Sequence, residues 1–167
     1  STQDVWPFMD ILAGIKARDG IFAIRGNHDY GDYIPWRSPE EKNQNDRDLE
    51  HFYSEMGWHL LLNQNTLLIR CDEEDTTKNR CDTIAIIGVE NWGEKERYQR
   101  LADLPLALKG CEQVPVKLLL SHDPSHWDSI VTKRHPEITL TFAGHTHGGQ
   151  IGIESQSGQW SFISLTY

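Results

Sequence analysis

Apolar residues at Val5, Phe8, Ile11, Leu12 and Ile15 recur at helical spacing through "DVWPFMDILAGIKARDG", and Gly20 is the natural stop. The next segment, "IFAIRGNHDY", changes period. Residues 21–24 form a short apolar run that reads as a buried strand ending at Gly26. "DRDLEHFYSEMGW" is a second amphipathic helix, closed near Gly57. "RSPEEKNQNDRD", just before and overlapping it, reads as the most mobile loop of the chain. "HLLLNQNTLLIR" and "DTIAIIGVEN" read as two strands. "ERYQRLADLPLAL" has helical spacing up to Pro105. "VPVKLLLSHDP" is a strand running into a polar loop, and "PSHWDSIVTKRHP" a short helix. "ITLTFAGHTHGG" repeats the strand-into-loop pattern, and "GQIGIESQSGQWSFISL" reads as edge strands.

This is a mixed α/β pattern with no internal repeat. Three apolar runs end in polar loops: "IFAIR-GNHD", "VKLLL-SHDP" and "LTFA-GHTH". Sheets of this kind bind ligands outside the carboxyl ends of their strands. The three runs are therefore expected to be adjacent strands whose loops share one site.

Composition narrows the classes. The chain has 167 residues, long enough for a single domain with its own core. A formal net charge of −9 disfavours a nucleic-acid-binding module, which needs cations to neutralise phosphates. It does not exclude a phosphorylated substrate, because bound cations reverse a local field. No run of about 18 apolar residues is present, and the first residues have no signal-peptide pattern. Of the three cysteines, Cys71 and Cys81 flank a polar loop between two apolar runs. They either bridge a hairpin or remain two thiols; Cys111 is left over. Six tryptophans are many for this length. Tyr30, Trp36 and Trp92 either line a cleft mouth or pack the domain, and packing is the commoner use.

The polar loops carry Asn27, His28, His122, Asp123, His145 and His147. Imidazole nitrogen with amide or carboxylate oxygen suits zinc, iron or manganese. Gly26, Gly144, Gly148 and Gly149 allow the backbone to turn close to a bound group. A lone histidine at a strand end is usually a surface or hydrogen-bonded residue, and His51, His59, His126 and His135 are read that way. The remaining histidines stand out because three separate strand ends carry them.

"GNHD", "LLLSHDP" and "FAGHTHGGQ", in this order, resemble the later motifs of the calcineurin-like metallophosphoesterases, and "GVEN" with the GHTHGGQ ending resembles a bacterial subgroup. The resemblance covers most of the chain. It implies a four-layer α/β/β/α sandwich of two mixed sheets and one domain over 1–167. The family's earlier D-x-H and G-D-x-x-D motifs are absent, so the chain reads as the C-terminal portion of such a domain, lacking its first strands. The resemblance assigns Asn27, His122 and His145 to one divalent metal ion and His147 to a second, both drawn from Mn, Fe or Zn. It makes His28 the general acid and Asp29 the residue that orients its ring. Asp123 has no role in the motif and either supports a ligand or caps a turn.

The activity implied is metal-dependent hydrolysis of a phosphomonoester or phosphodiester in a small substrate. The alternatives are a non-catalytic scaffold and a metal-binding domain on the same fold. The chain alone is expected to be a poor hydrolase, and its uncovered sheet surface to favour self-association. The subgroup implies a full-length protein that is bacterial and membrane-associated or extracytoplasmic.

Overall fold

Asn63 divides what reads as one apolar run. Its φ of 55° turns the chain, and the two halves of segment 59–70 enter different sheets. The computed structural model describes residues 1–71, 81–93 and 99–147, and the backbone of two strands at 152–155 and 158–161.

A small parallel sheet pairs β1 (Phe22–Ala23) with β2 (His59–Leu60). The larger sheet runs in the order β3 (Gln64–Cys71), β4 (Cys81–Gly88), β5 (Val116–Leu120), β6 (Leu140–Phe142). Strands β3 and β4 are antiparallel; β4, β5 and β6 are parallel. The connections between the parallel strands carry helical segments, as parallel pairing requires. One is α4 (Leu104–Ala107); the other is a π turn at Trp127–Val131 running into α5 (Thr132–Arg134). A hairpin of β7 (Gly152–Ser155) and β8 (Gly158–Ser161) follows. The β1–β2 and β3–β6 sheets give the mixed α/β arrangement of two sheets that the resemblance implies, and the β7–β8 hairpin is a third, two-stranded sheet.

The core lies on the face of β4 and β5 that these helical segments cover. Ala85, Ile87, Val89 and Leu119 pack there against Leu104, Leu108, Cys111, Val131 and Ile138. The small sheet approaches β4 at Gly88. A Cβ there would stand 2.3 Å from Leu61 Cβ and 2.9 Å from Ile24 Cγ2, so only glycine permits this approach. The contact sets the carboxyl end of β1 beside that of β5. It also corrects the expectation of three adjacent strands: β5 and β6 are neighbours, but β1 belongs to the other sheet.

Other expectations are corrected by local chemistry. The N-terminal helix is broken. It runs as α1 (Thr2–Val5), a 3-10 turn at Trp6–Phe8 around Pro7, and α2 (Met9–Ala13), which ends at Gly14 rather than Gly20. The expected mobile loop at 37–48 is mostly helix. Helix α3 (Pro39–Glu55) starts where the Ser38 side chain accepts from Glu41 N–H (3.3 Å), with proline in its first turn and Glu40 and Glu41 at the positive end of the dipole. Pro105 starts a helix instead of ending one. Asp103 caps α4 by accepting from Leu106 N–H (2.9 Å), and residues 99–103 before it are not helical. The expected helical residues 96–98 lie outside the described residues.

Cys71 and Cys81 face each other in the β3–β4 register and form a disulfide. They close the end of the strand pair opposite to Gly88, roughly 23 Å away at the rise of a strand. Cys111 is buried and free.

Candidate metal centre

Three strand ends deliver three donor atoms to one point. Asn27 opens the short 3-10 turn Asn27–Tyr30 that follows β1. His122 follows β5, and His145 lies three residues beyond β6. Ser121 N–H donates to Phe142 O (3.0 Å) and Gly144 N–H to His122 O (3.0 Å), so the last two loops are laced together as the strands end. Asn27 Oδ1 lies 3.0 Å from His122 Nε2 and 3.1 Å from His145 Nδ1, and the two ring nitrogens are 3.1 Å apart. Asn27 is 7% exposed.

Hydrogen bonds leave at least one edge of this triangle unfavourable. The Asn27 oxygen only accepts, and a neutral imidazole nitrogen offers either a proton or a lone pair. If both nitrogens carry protons, both can donate to Oδ1, but the two N–H groups then crowd along the third edge; in any other state two lone pairs meet along one edge. A cation facing three lone pairs removes the conflict. Donors about 2.1 Å from one ion and at right angles stand about 3.0 Å apart, which is the edge length observed. Burial, and then the neighbouring His145, hold His122 below the usual histidine range, and so in the neutral form that a ligand requires. The donor set therefore fits a divalent metal.

The supports are visible. Gly26 lies flat under the His122 ring: a Cβ there would be 2.6 to 2.7 Å from Cε1, Nδ1 and Nε2. His145 holds a positive φ of 66°, a strained value for a residue with a side chain, and the lacing of its loop supports it. Asp123, 3% exposed, closes a turn and stands beside His145. Its Oδ1 accepts from Ser125 N–H (2.9 Å), and its Oδ2 lies 3.8 Å from His145 Nε2. That carboxylate favours the proton on Nε2 and leaves the Nδ1 lone pair directed at the triangle.

His147 shares the His145 loop, with a φ of 52°, and is exposed. Among the described residues no group of three or more His, Cys, Asp or Glu side chains could hold a metal, so His147 does not join His122 and His145 as a third imidazole. Gly148 and Gly149 lie outside the described residues. His28 is exposed beside the triangle. Its ring packs on Tyr33, with centroids 4.6 Å apart, and Tyr33 Oη accepts from Asn27 Nδ2 (2.8 Å). Among the described residues no hydrogen bond joins Asp29 to that ring. Its Oδ2 accepts from Gly26 N–H (2.8 Å), because a carboxylate three residues on is well placed to close its own turn.

The family model for calcineurin-like phosphoesterases matches residues 6–149. The chain belongs to the calcineurin-like phosphoesterase family. Its members' metal-dependent hydrolysis of phosphoesters gives the triangle its chemical context. A transmembrane protein with metallophosphoesterase domain from Danio rerio is 29% identical over 84% of this chain and 28% of its own length. One of the same name from Bos taurus is 26% identical over 84% of this chain and 29% of its own. An uncharacterized metallophosphoesterase of Helicobacter pylori (strain ATCC 700392 / 26695) is 25% identical over 90% and 34%. The chain thus spans about a third of these relatives' length. No solved structure matches it.

In this family member the sequence reading passed over a bracket behind the site. Asn63 Oδ1 accepts from Glu90 N–H (3.1 Å) and Asp103 N–H (2.8 Å), while its Nδ2 donates to Glu90 Oε2 (2.8 Å) and Leu101 O (3.0 Å). Tyr30 Oη accepts from Asn91 N–H (3.1 Å) and donates to Glu90 Oε1 (3.4 Å). Burial, with the Glu90 carboxylate, pushes the Tyr30 phenol far above its ordinary range. Tyr30 therefore packs the domain and anchors the turn that carries Asn27 and His28. Trp92 packs too, stacked on His126 at 4.8 Å. A polar residue inside an apolar run, Asn63 itself, was the sequence's only signal.

Proposed function

We propose that the whole protein is a dinuclear metal-dependent hydrolase of phosphomonoesters or phosphodiesters in small substrates, with residues 1–167 belonging to its metallophosphoesterase domain. The observation that carries this reading is the triangle of Asn27 Oδ1, His122 Nε2 and His145 Nδ1 at three strand ends of a member of this family. These three residues would hold one of two divalent ions (Mn, Fe or Zn), and His147 would serve the other. Such ions supply Lewis-acid polarisation of a phosphoryl oxygen and acidify water.

The chain's own residues supply orientation and a proton. Asp123 keeps the Nδ1 lone pair of His145 available, and Gly26 keeps His122 flat against the turn. His28, exposed one residue after a ligand, would donate a proton to the leaving oxygen. The His28 ring packs on Tyr33, and Asp29 Oδ2 accepts from Gly26 N–H.

Two observations bear on location. The zebrafish and cattle relatives are named as transmembrane proteins, and the Cys71–Cys81 disulfide suits an oxidising compartment. Among the described residues no helix is long and apolar enough to cross a membrane. A membrane-associated or extracytoplasmic setting fits these facts.

The test is a screen of the manganese- or zinc-loaded protein against phosphomonoesters, phosphodiesters and nucleotide pyrophosphates, with His145→Ala as the control. Hydrolysis in one class that the variant lacks supports the reading. Equal rates in the two proteins would overturn it.

A further inference from the structure

Asn27 and His28 are neighbours with separate duties, and one side chain touches both. Tyr33 stands on the turn that leaves the 3-10 segment. Ile34 N–H and the Trp36 indole N–H both donate to Gly31 O (3.2 and 2.7 Å), so the turn is closed on itself. Lys42 Nζ holds Asp32 Oδ1 of the same turn to α3 at 2.5 Å. From this support the Tyr33 phenol oxygen reaches Asn27 Nδ2 at 2.8 Å, and the ring lies 4.6 Å from the His28 imidazole at an angle of 31°.

The amide of asparagine has two nearly equal ends, and its neighbours decide which end faces which way. Here the oxygen faces the two imidazoles. The opposite orientation would direct the NH2 group at them, and its protons would occupy the lone pairs that a cation needs. A phenol oxygen accepting from Nδ2 holds the productive orientation. This hydrogen bond gains strength when a cation sits on Oδ1, because coordination draws electrons from the amide and makes its N–H a better donor.

We infer that Tyr33 is a positioning residue that sets the orientation of the Asn27 amide through its hydroxyl and the placement of the His28 ring through its own ring. The inference rests on the proposed metal site, but its hydroxyl contact is testable apart from activity. The two duties also separate by substitution, since Tyr33→Phe removes only the hydroxyl. Tyr33 is 54% exposed, so this change leaves the packing of the domain alone.

The experiment is a calorimetric titration of the metal-free protein with manganese and with zinc, for the native protein, Tyr33→Phe, Asn27→Asp and the double variant. Tyr33→Phe is expected to weaken metal binding by about tenfold, the low end for the loss of a residue that supports a ligand. In the Asn27→Asp background it is expected to do nothing further, because a carboxylate has no wrong end. The Asn27 side-chain NH2 signals in a nitrogen–proton spectrum of the metal-free protein should also shift in Tyr33→Phe. An unchanged affinity, or an equal loss in both backgrounds, would overturn the inference. Absence of metal binding by the native protein would instead overturn the metal site, and the NH2 signals would still decide whether the Tyr33 contact exists.

Discussion

Asp123 Oδ2 lies 3.8 Å from His145 Nε2, at the ring nitrogen opposite the one that meets Asn27 and His122. The carboxylate thus stands behind the ring edge that meets Asn27 and His122. Asp123→Asn keeps the size of the side chain but removes the charge that favours the proton on Nε2. Metal affinity is expected to fall by about 10- to 100-fold, as for other partners of ligating histidines. Equilibrium dialysis against zinc measures this directly. No loss would mean that the position of Asp123 serves only the Ser125 turn.

His28 can be separated from the ligands by the leaving group. His28→Ala should lower turnover by about 10²- to 10⁴-fold, the usual contribution of a general acid, while metal content stays close to native. A nitrophenyl ester leaves without much help and should suffer less than an alkyl ester. His145→Ala should lose metal as well as activity. If His28→Ala slows both esters alike, the proton donor is another group.

What the sequence revealed depended on how local each cause was. Asn27, His122 and His145 follow strand ends, and the order of apolar run and polar loop is readable one segment at a time. The β5–β6 adjacency was readable for the same reason. The other half of the site was not. That β1 reaches β5 from a different sheet depends on Gly88 admitting Leu61 and Ile24, three residues distant in sequence from one another. The helix at Pro39–Glu55 could have been found: Ser38, Pro39, Glu40 and Glu41 are a helix start, but a run of polar residues masked it. Tyr33 had no periodic signal at all. Its role depends on a turn that places it back over Asn27 and His28.

His126 gives the protein a pH dependence of its own. The ring is 1% exposed, stacked on Trp92, with Ser121 Oγ 2.9 Å from Nδ1. Burial, and then the charge of His135, lower its pKa to about 4, with Asp123 acting in the opposite sense. An unfolded histidine titrates near about 6.5. Above that pH the ring is neutral in both states and contributes no slope. Below it the unfolded chain takes up a proton that the folded protein refuses, so stability falls until about pH 4. The full loss is about 3 kcal/mol. Urea unfolding at about pH 7.5 and about pH 4.5 should show a steeper loss for the native protein than for His126→Asn. Parallel losses would assign the acid sensitivity to other groups.

Gly26→Ala isolates the fit between the Asn27 turn and His122. The φ of Gly26 is −102°, a value alanine adopts without strain, so any effect of the substitution is steric. The added Cβ would meet three atoms of the His122 ring at 2.6 to 2.7 Å, well inside contact distance. One of those atoms is Nε2, the donor that stands 3.0 Å from Asn27 Oδ1. Two relaxations are open. Either the ring moves away and the triangle widens, or the turn lifts and carries Asn27 and His28 with it. Both separate the β1 donor from the β5 donor, so both weaken metal binding. The cost in stability should be about 1–3 kcal/mol, as for other overpacked sites. Thermal unfolding of the metal-free protein reads that cost, and zinc titration reads the affinity. A further signature is expected: native protein should be stabilised by added zinc more than Gly26→Ala at every concentration tested. If the variant binds zinc as tightly as the native protein, then the close seating of His122 on Gly26 is not what brings the two strand ends to one ion.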